Sequence, residues 1–291
     1  MSATKLDLEV TKKSATIGAE IRGIDLRQPL DAEGAATVRS LLLEHKVIFF
    51  PGQHLDPAQH LAFARSCGVP TPAHPVIPGI DGFPEIFQID YQAGRGRYVD
   101  TTERGSEGIS WHSDVTYVER PPLGSILNAV VMPAAGGDTQ WTNQQAAYEA
   151  LSESMRGYLG GLTALHSGKK QFGALLARRK NGGDWDGKPV VDLEPVEHPV
   201  IRTHPETGAR TLFVNPGFTQ RIVQLTRTES DALLAFLYTH STRAEFVVRH
   251  HWHTGDIGFW DNRATQHMVV GDYGSEPRVI QRITLEGDQP V

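Results

Sequence analysis

Two short segments far apart in the chain constrain the fold more than anything else in it. They are Trp111-His112-Ser113-Asp114 and Trp260-Asp261-Asn262-Arg263-Ala264-Thr265-Gln266-His267. In extended backbone, residues i and i+2 point to the same side, so His112 and Asp114 can reach one ion together. The third ligand must come from elsewhere, and His267 follows a strand signal ending at Trp260. Two imidazoles and one carboxylate on one face of a metal form the 2-His-1-carboxylate facial triad. That set suits non-haem Fe(II) and leaves adjacent coordination positions open. Arg278 and Arg282 lie eleven and fifteen residues beyond His267. Fixed cations so close to a metal triad imply a site that holds small anions beside the iron.

The chain has 13 histidines, so ordinary structural roles compete with ligation. The run His250-His251-Trp252-His253 looks metal-binding, but alternation sends His251 and His253 to the face opposite Trp252, the core residue. It reads as a partly exposed strand without a ligand role. His198 and His204 flank a strand signal with no carboxylate at chelating spacing, and both read as structural.

Composition sets the outer bounds. With 291 residues the chain can hold one large domain or two small ones, and its apolar and charged fractions are those of a globular protein. A formal charge of −6 gives no general attraction to nucleic acid or anionic membrane. Cys67 is the single cysteine, so no intrachain disulfide can form, which fits a reducing compartment. The N-terminus carries no apolar h-region, and no run approaches the length of a membrane span. The expectation is a soluble cytoplasmic protein.

Along the chain, Ala19 to Leu26 alternates like a strand, and Asp31 is a candidate N-cap for a helix running toward His45. Val47 to Phe50 is an apolar strand stopped by Pro51-Gly52. Asp56-Pro57 reads as an N-cap and N1 pair for a helix toward Cys67. Residues 70 to 84 hold five prolines and read as loop. Strand signals follow at Glu85 to Tyr91, Ser125 to Met132, Val200 to Thr203, Thr211 to Val214, Phe246 to Trp252, Ile257 to Trp260 and Val279 to Leu285. Helices are expected at about 143–151 and 228–239. Residues 92 to 110 read as a glycine-rich mobile loop, and 167 to 188 as a basic stretch without regular pattern. No repeat or long linker divides the chain, and no βαβ alternation appears. The pattern predicts one domain over residues 1–291, mainly β with flanking helices: a β-sandwich or barrel rather than a doubly wound sheet.

Several ordered motifs together resemble one family. They are Trp-His-Ser-Asp at 111–114, Gly-Gly-Asp-Thr at 136–139 and Trp-Asp-Asn-Arg-Ala-Thr-Gln-His at 260–267, followed by Arg278 and Arg282. The chain resembles the TauD/TfdA group of Fe(II)- and 2-oxoglutarate-dependent dioxygenases, which includes taurine dioxygenase, 2,4-D dioxygenase and alkylsulfatase. The resemblance runs from about Ile17 to Asp288. It implies a double-stranded β-helix (jelly-roll, cupin-like) core with the triad at its mouth, and a homo-oligomer. It implies that His112, Asp114 and His267 bind iron, and that Thr139 and Arg278 hold the distal carboxylate of 2-oxoglutarate. Arg282 would lie near the substrate's anionic group, with His74, the Val115 amide and Phe218 around it. The implied reaction consumes O2 and 2-oxoglutarate, releases succinate and CO2, and hydroxylates a substrate C–H bond. An arginine fork matches a carboxylate in two hydrogen bonds, which agrees with those roles.

Two departures from the taurine-specific pattern bear on substrate. Gly108 stands where a taurine enzyme presents asparagine, and Ile77 replaces a tyrosine, so polar partners for an amine are lost. A more apolar anion is expected: an alkyl sulfate ester, a sulfonate or an aryloxyalkanoate. Taurine itself and a natural-product intermediate stand as alternatives. The cations Lys169, Lys170, Arg178, Arg179 and Lys180 form either a solvated face or a lid over the site. Phe218 and Tyr117 are candidates for the pocket wall. Two other classes fit the triad alone: a zinc hydrolase, disfavoured by Arg278 and Thr139, and a cupin-like metal-binding sensor without turnover.

Overall fold

The computed structural model describes residues 7–90, 111–179, 182–274 and 276–291. The N-terminal part contains β1 (Glu9–Lys12), β2 (Ala19–Arg22), α1 (Ala32–His45), β3 (Val47–Phe50), α2 (Pro57–Cys67) and β4 (Phe87–Asp90). The middle contains β5 (Gly124–Val131), β6 (Thr139–Asn143), α3 (Gln144–Glu149), α4 (Glu153–Leu159), β7 (Thr163–His166), α5 (Lys169–Leu176), β8 (Gly183–Trp185) and β9 (Lys188–Val190). Then come β10 (Val196–Pro199), β11 (Ile201–Thr203), β12 (Arg210–Leu212), β13 (Thr219–Ile222), α6 (Arg227–Ser241) and a 3-10 turn at Ala244–Phe246. The chain closes with β14 (Val247–His250), β15 (Ile257–Asp261), β16 (Thr265–Val269) and β17 (Val279–Leu285).

A seven-stranded sheet in the order β1-β2-β3-β15-β5-β17-β4 faces a three-stranded sheet in the order β14-β6-β16. Alternation explains why the central strands are apolar on both sides. On β3, Val47 and Phe49 face the smaller sheet, while Ile48 and Phe50 pack toward α1 and α2. Phe49 lies 5.3 Å from Trp141 of β6, and Trp260 of β15 lies 5.7 Å from the same indole, which joins the sheets through one aromatic core. Burying each such side chain contributes roughly 1.5–3 kcal/mol. This sheet pair is the expected double-stranded β-helix, and the helices flank it.

The helix starts at Asp31 and Asp56 form as expected. Asp31 Oδ1 accepts from the Gly34 amide, and Asp56 completes a capping box with Gln59. Other expectations are corrected. The stretch 167–188 is not patternless: it holds α5, with Phe172 and Leu176 turned inward, and the β8–β9 hairpin. The strand expected over Phe246 to Trp252 ends at His250. There the chain leaves the sheet through a turn in which Asp256 accepts from the His253 amide at 2.9 Å. His250 is buried and stacked on Phe49 at 3.9 Å, whereas His251 and His253 are exposed and Trp252 is core. His198 and His204 prove structural, bonded to the Val118 carbonyl and to Asp261. The loop read at 92–110, with Gly108, lies outside the described residues. No helix among the described residues is long and apolar enough to cross a membrane.

Candidate metal centre

Strand pairing brings the distant motifs together. His267 sits on β16 opposite Trp141 of β6. The segment of His112 bonds to it directly: the His112 amide donates to the His267 carbonyl at 3.0 Å, and the His267 amide returns a bond at 2.8 Å. Two residues on, Asp114 turns to the same side. Its Oδ1 lies 3.8 Å from His112 Nε2 and 3.9 Å from His267 Nε2. One ligand atom from each residue falls within 4.8 Å of the others, and no other such group of three occurs among the described residues.

The surroundings fix this geometry. Asn262 clamps the turn, its Oδ1 accepting from the Asp114 amide at 2.7 Å while Nδ2 donates to the carbonyls of Asp114 and Pro122. Ser125, facing inward on β5 with Leu127 and Ala129, donates to Asp114 Oδ2 at 2.7 Å. That leaves Oδ1 on the imidazole side. Val115 holds a left-handed φ of 54°, a strained conformation for a β-branched residue. Gly217 approaches from the other side, where an added Cβ would fall 2.8 Å from His112 Cβ.

The electrostatics suit a divalent cation. Burial opposes ionisation of Asp114, but Arg282, both imidazoles and the Ser125 hydroxyl outweigh it and hold the carboxyl well below its ordinary range. Burial keeps His267 neutral. One anionic oxygen donor and two imidazole nitrogens form the donor set that borderline metals such as Fe(II) accept.

A cavity of about 100 Å³ adjoins the triad, with Phe87, Ile89, Leu127, Phe172, Phe218 and Ile280 in its wall. His74, Val115, Thr139 and Arg282 line it too, as does Tyr117. Arg282 Nη1 lies 2.5 Å from Asp114 Oδ1. Thr139 Oγ1 accepts from Trp252 Nε1 at 2.9 Å. Arg278 is buried but does not line this cavity, and its Nε donates to the Gly137 carbonyl at 3.1 Å. Ile77 lines a neighbouring cavity instead. Of the basic stretch, Lys169 is exposed and faces Asp192 and Glu194, while Phe172 of α5 forms part of the site's wall.

The matching family model, "Taurine catabolism dioxygenase TauD, TfdA family", covers residues 9–284. The chain belongs to this family. A Pseudomonas putida "Alpha-ketoglutarate-dependent sulfate ester dioxygenase" is 40% identical over 98% of this chain and 92% of its own. An Acinetobacter baylyi "Alkylsulfatase" is 39% identical over 97% and 86%. A solved "Taurine Dioxygenase from Burkholderia xenovorans" shares 40% identity over 98% of this chain and 92% of that one, with a TM-score of 0.79. His74, Val115 and Phe218, singled out in the sequence, meet the triad and Arg282 at this cavity, whereas the wall residues Phe87, Leu127, Phe172 and Ile280 carry no sequence signal of a site. Sequence reading also missed Ser125 and Asn262, whose only signal was a polar side chain inside an otherwise apolar strand or tight turn.

Proposed function

We propose that this single-domain chain is an Fe(II)- and 2-oxoglutarate-dependent dioxygenase that hydroxylates a small anionic substrate, with an alkyl sulfate ester as the leading class. The observation that carries the proposal is the convergence of His112, Asp114 and His267 beside a buried arginine and an apolar cavity. His112, Asp114 and His267 hold the iron. Thr139 and Arg278 receive the distal carboxylate of 2-oxoglutarate, and Arg282 attracts the substrate's anion. His74, Val115 and Phe218 shape the cavity around it.

When bound, iron, 2-oxoglutarate and O2 supply the oxidising power, and 2-oxoglutarate leaves as succinate and CO2. The protein's part is to place the substrate. The aromatic wall excludes water, and Arg282 fixes the anionic end so that its neighbouring carbon faces the metal. Hydroxylation at a carbon bearing a sulfate ester gives a product that collapses to an aldehyde and sulfate. Two named relatives act on sulfate esters or as an alkylsulfatase, which favours that class over taurine. The aliphatic and aromatic lining, in which Asp114 is the one carboxylate among the described residues, favours it as well.

The test exposes enzyme loaded with Fe(II) and 2-oxoglutarate to air with a panel of alkyl sulfates, alkylsulfonates and aryloxyalkanoates, reading succinate. Stimulation by an alkyl sulfate, absent in His112→Ala and Asp114→Ala proteins that still melt cooperatively, supports the proposal. Succinate that no anion stimulates would leave the substrate class wrong, and retained coupled turnover in either variant would overturn the ligand assignment.

A further inference from the structure

His74 does not present a free ring nitrogen to the cavity. Its Nδ1 accepts from the backbone amides of Val76 at 3.0 Å and Ile77 at 3.2 Å. An N–H can point at a ring nitrogen only if that nitrogen carries its lone pair, so the proton of a neutral ring resides on Nε2. Val76 and Ile77 are core residues, which fixes both donors. The ring is packed against Phe87 and Phe172, and burial pushes its pKa down to about 3, so the imidazole is neutral.

Nε2 lies 2.9 Å from the hydroxyl of Tyr117, which itself lines the cavity. With its proton on Nε2, His74 is the donor in that bond and the Tyr117 oxygen the acceptor. The Tyr117 proton must then be donated elsewhere, and no acceptor for it occurs among the described residues. The tyrosine ring cannot swing away: Phe172 and Phe218 pack on it, and Gly168 approaches so closely that an added Cβ would lie 3.0 Å from the ring. A second donor also lacks a partner. Arg282 Nε is buried without an acceptor among the described residues.

We infer that Tyr117 is a substrate-binding residue whose hydroxyl donates to the anionic head group, and that His74 is a positioning residue acting through it. Arg282 and Tyr117 then offer donors only. Such a site suits a head group made solely of acceptors, as in a sulfate ester, and rejects one that carries N–H protons. The inference rests on the cavity being the substrate site, as proposed above.

The experiment measures n-hexyl sulfate binding by calorimetry to enzyme holding Fe(II) and 2-oxoglutarate under argon. Four proteins are compared: wild type, Tyr117→Phe, His74→Gln and the double variant. Tyr117→Phe keeps the ring and its packing, and a melting curve checks the fold. The expected result is about tenfold weaker hexyl sulfate binding, the size of one hydrogen bond to a charged group, with 2-oxoglutarate affinity unchanged. In turnover, KM for hexyl sulfate rises while kcat changes little. His74→Gln weakens binding in the wild-type background and has no further effect once Tyr117 is phenylalanine. Unchanged affinity in Tyr117→Phe would overturn the inference. So would a His74→Gln loss of equal size in both backgrounds, because His74 would then touch the substrate directly. If wild type binds none of hexyl sulfate, hexylsulfonate and phenoxyacetate, the reading of the cavity itself fails and the inference with it.

Discussion

Ser125→Ala removes one oxygen from the wall behind the triad and tests whether that wall governs the metal. Ser125 is fully buried on β5, between β15 and β17 in the sheet, so an alanine there meets the same backbone environment. Its hydroxyl donates to Asp114 Oδ2 at 2.7 Å. Hydrogen bonds to charged groups contribute roughly 1.5–3 kcal/mol. Loss of such a partner typically weakens metal binding about 10–100-fold, or about 1.4–2.7 kcal/mol, so the two scales agree. The expected mechanism is the loss of one of two anchors: Arg282 still holds Oδ1, but without Ser125 nothing among the described residues fixes Oδ2, and the carboxylate plane can turn about the Arg282 contact. The assay is anaerobic competition for Fe(II) against a chromophoric chelator, with melting curves in excess chelator to confirm the fold. An Fe(II) affinity within about twofold of wild type, in a folded variant, would refute the idea that the Ser125 bond sets the carboxylate's orientation.

Three further outcomes are expected. Asn262→Ala strips three buried backbone groups of their partner; at about 1–3 kcal/mol each, urea denaturation should show a loss of about 3 kcal/mol or more, and a loss under about 1 would contradict the clamp. Gly217→Ala puts a Cβ 2.8 Å from His112 Cβ; overpacking costs about 1–3 kcal/mol, and Fe(II) affinity should fall while Gly157→Ala in α4, which meets nothing, leaves it unchanged. Burial pushes the pKa of His60 and of His198 down to about 4 from 6.5. Their folded pKa values lie below the unfolded ones, so the unfolded chain takes up protons first. Their contribution is therefore complete above pH 6.5 and lost as pH falls toward 4. Chemical denaturation of metal-free protein should show stability falling between pH 6.5 and 5, and a flat profile there would sink the assignment.

Much of this was legible in the chain because it rests on local chemistry. Short segments rich in apolar residues marked β3, β5, β15 and β17, and Asp31 and Asp56 announced their helices. The triad was legible because His-x-Asp coincides with a distant His267 and with Arg278 and Arg282 shortly after it; the pair alone would pass for ordinary polar residues. What escaped depended on tertiary contact. α5 is a short helix opening with two lysines, and its apolar residues Phe172 and Leu176 acquire meaning only once the cavity wall exists. Ser125 and Asn262 look like any serine in a strand or asparagine in a turn until Asp114 arrives beside them. The donor direction at Tyr117 is further removed still, since it follows from two backbone amides, two and three positions after His74, and cannot be seen in residue identity.

The most direct test of the whole account is the stoichiometry of one reaction. With Fe(II), 2-oxoglutarate, O2 and n-hexyl sulfate, succinate and inorganic sulfate should form in equal amounts in the wild type, and neither above background in Asp114→Ala. Sulfate released without succinate, or without any need for 2-oxoglutarate, would show hydrolysis rather than oxygenation and contradict the account.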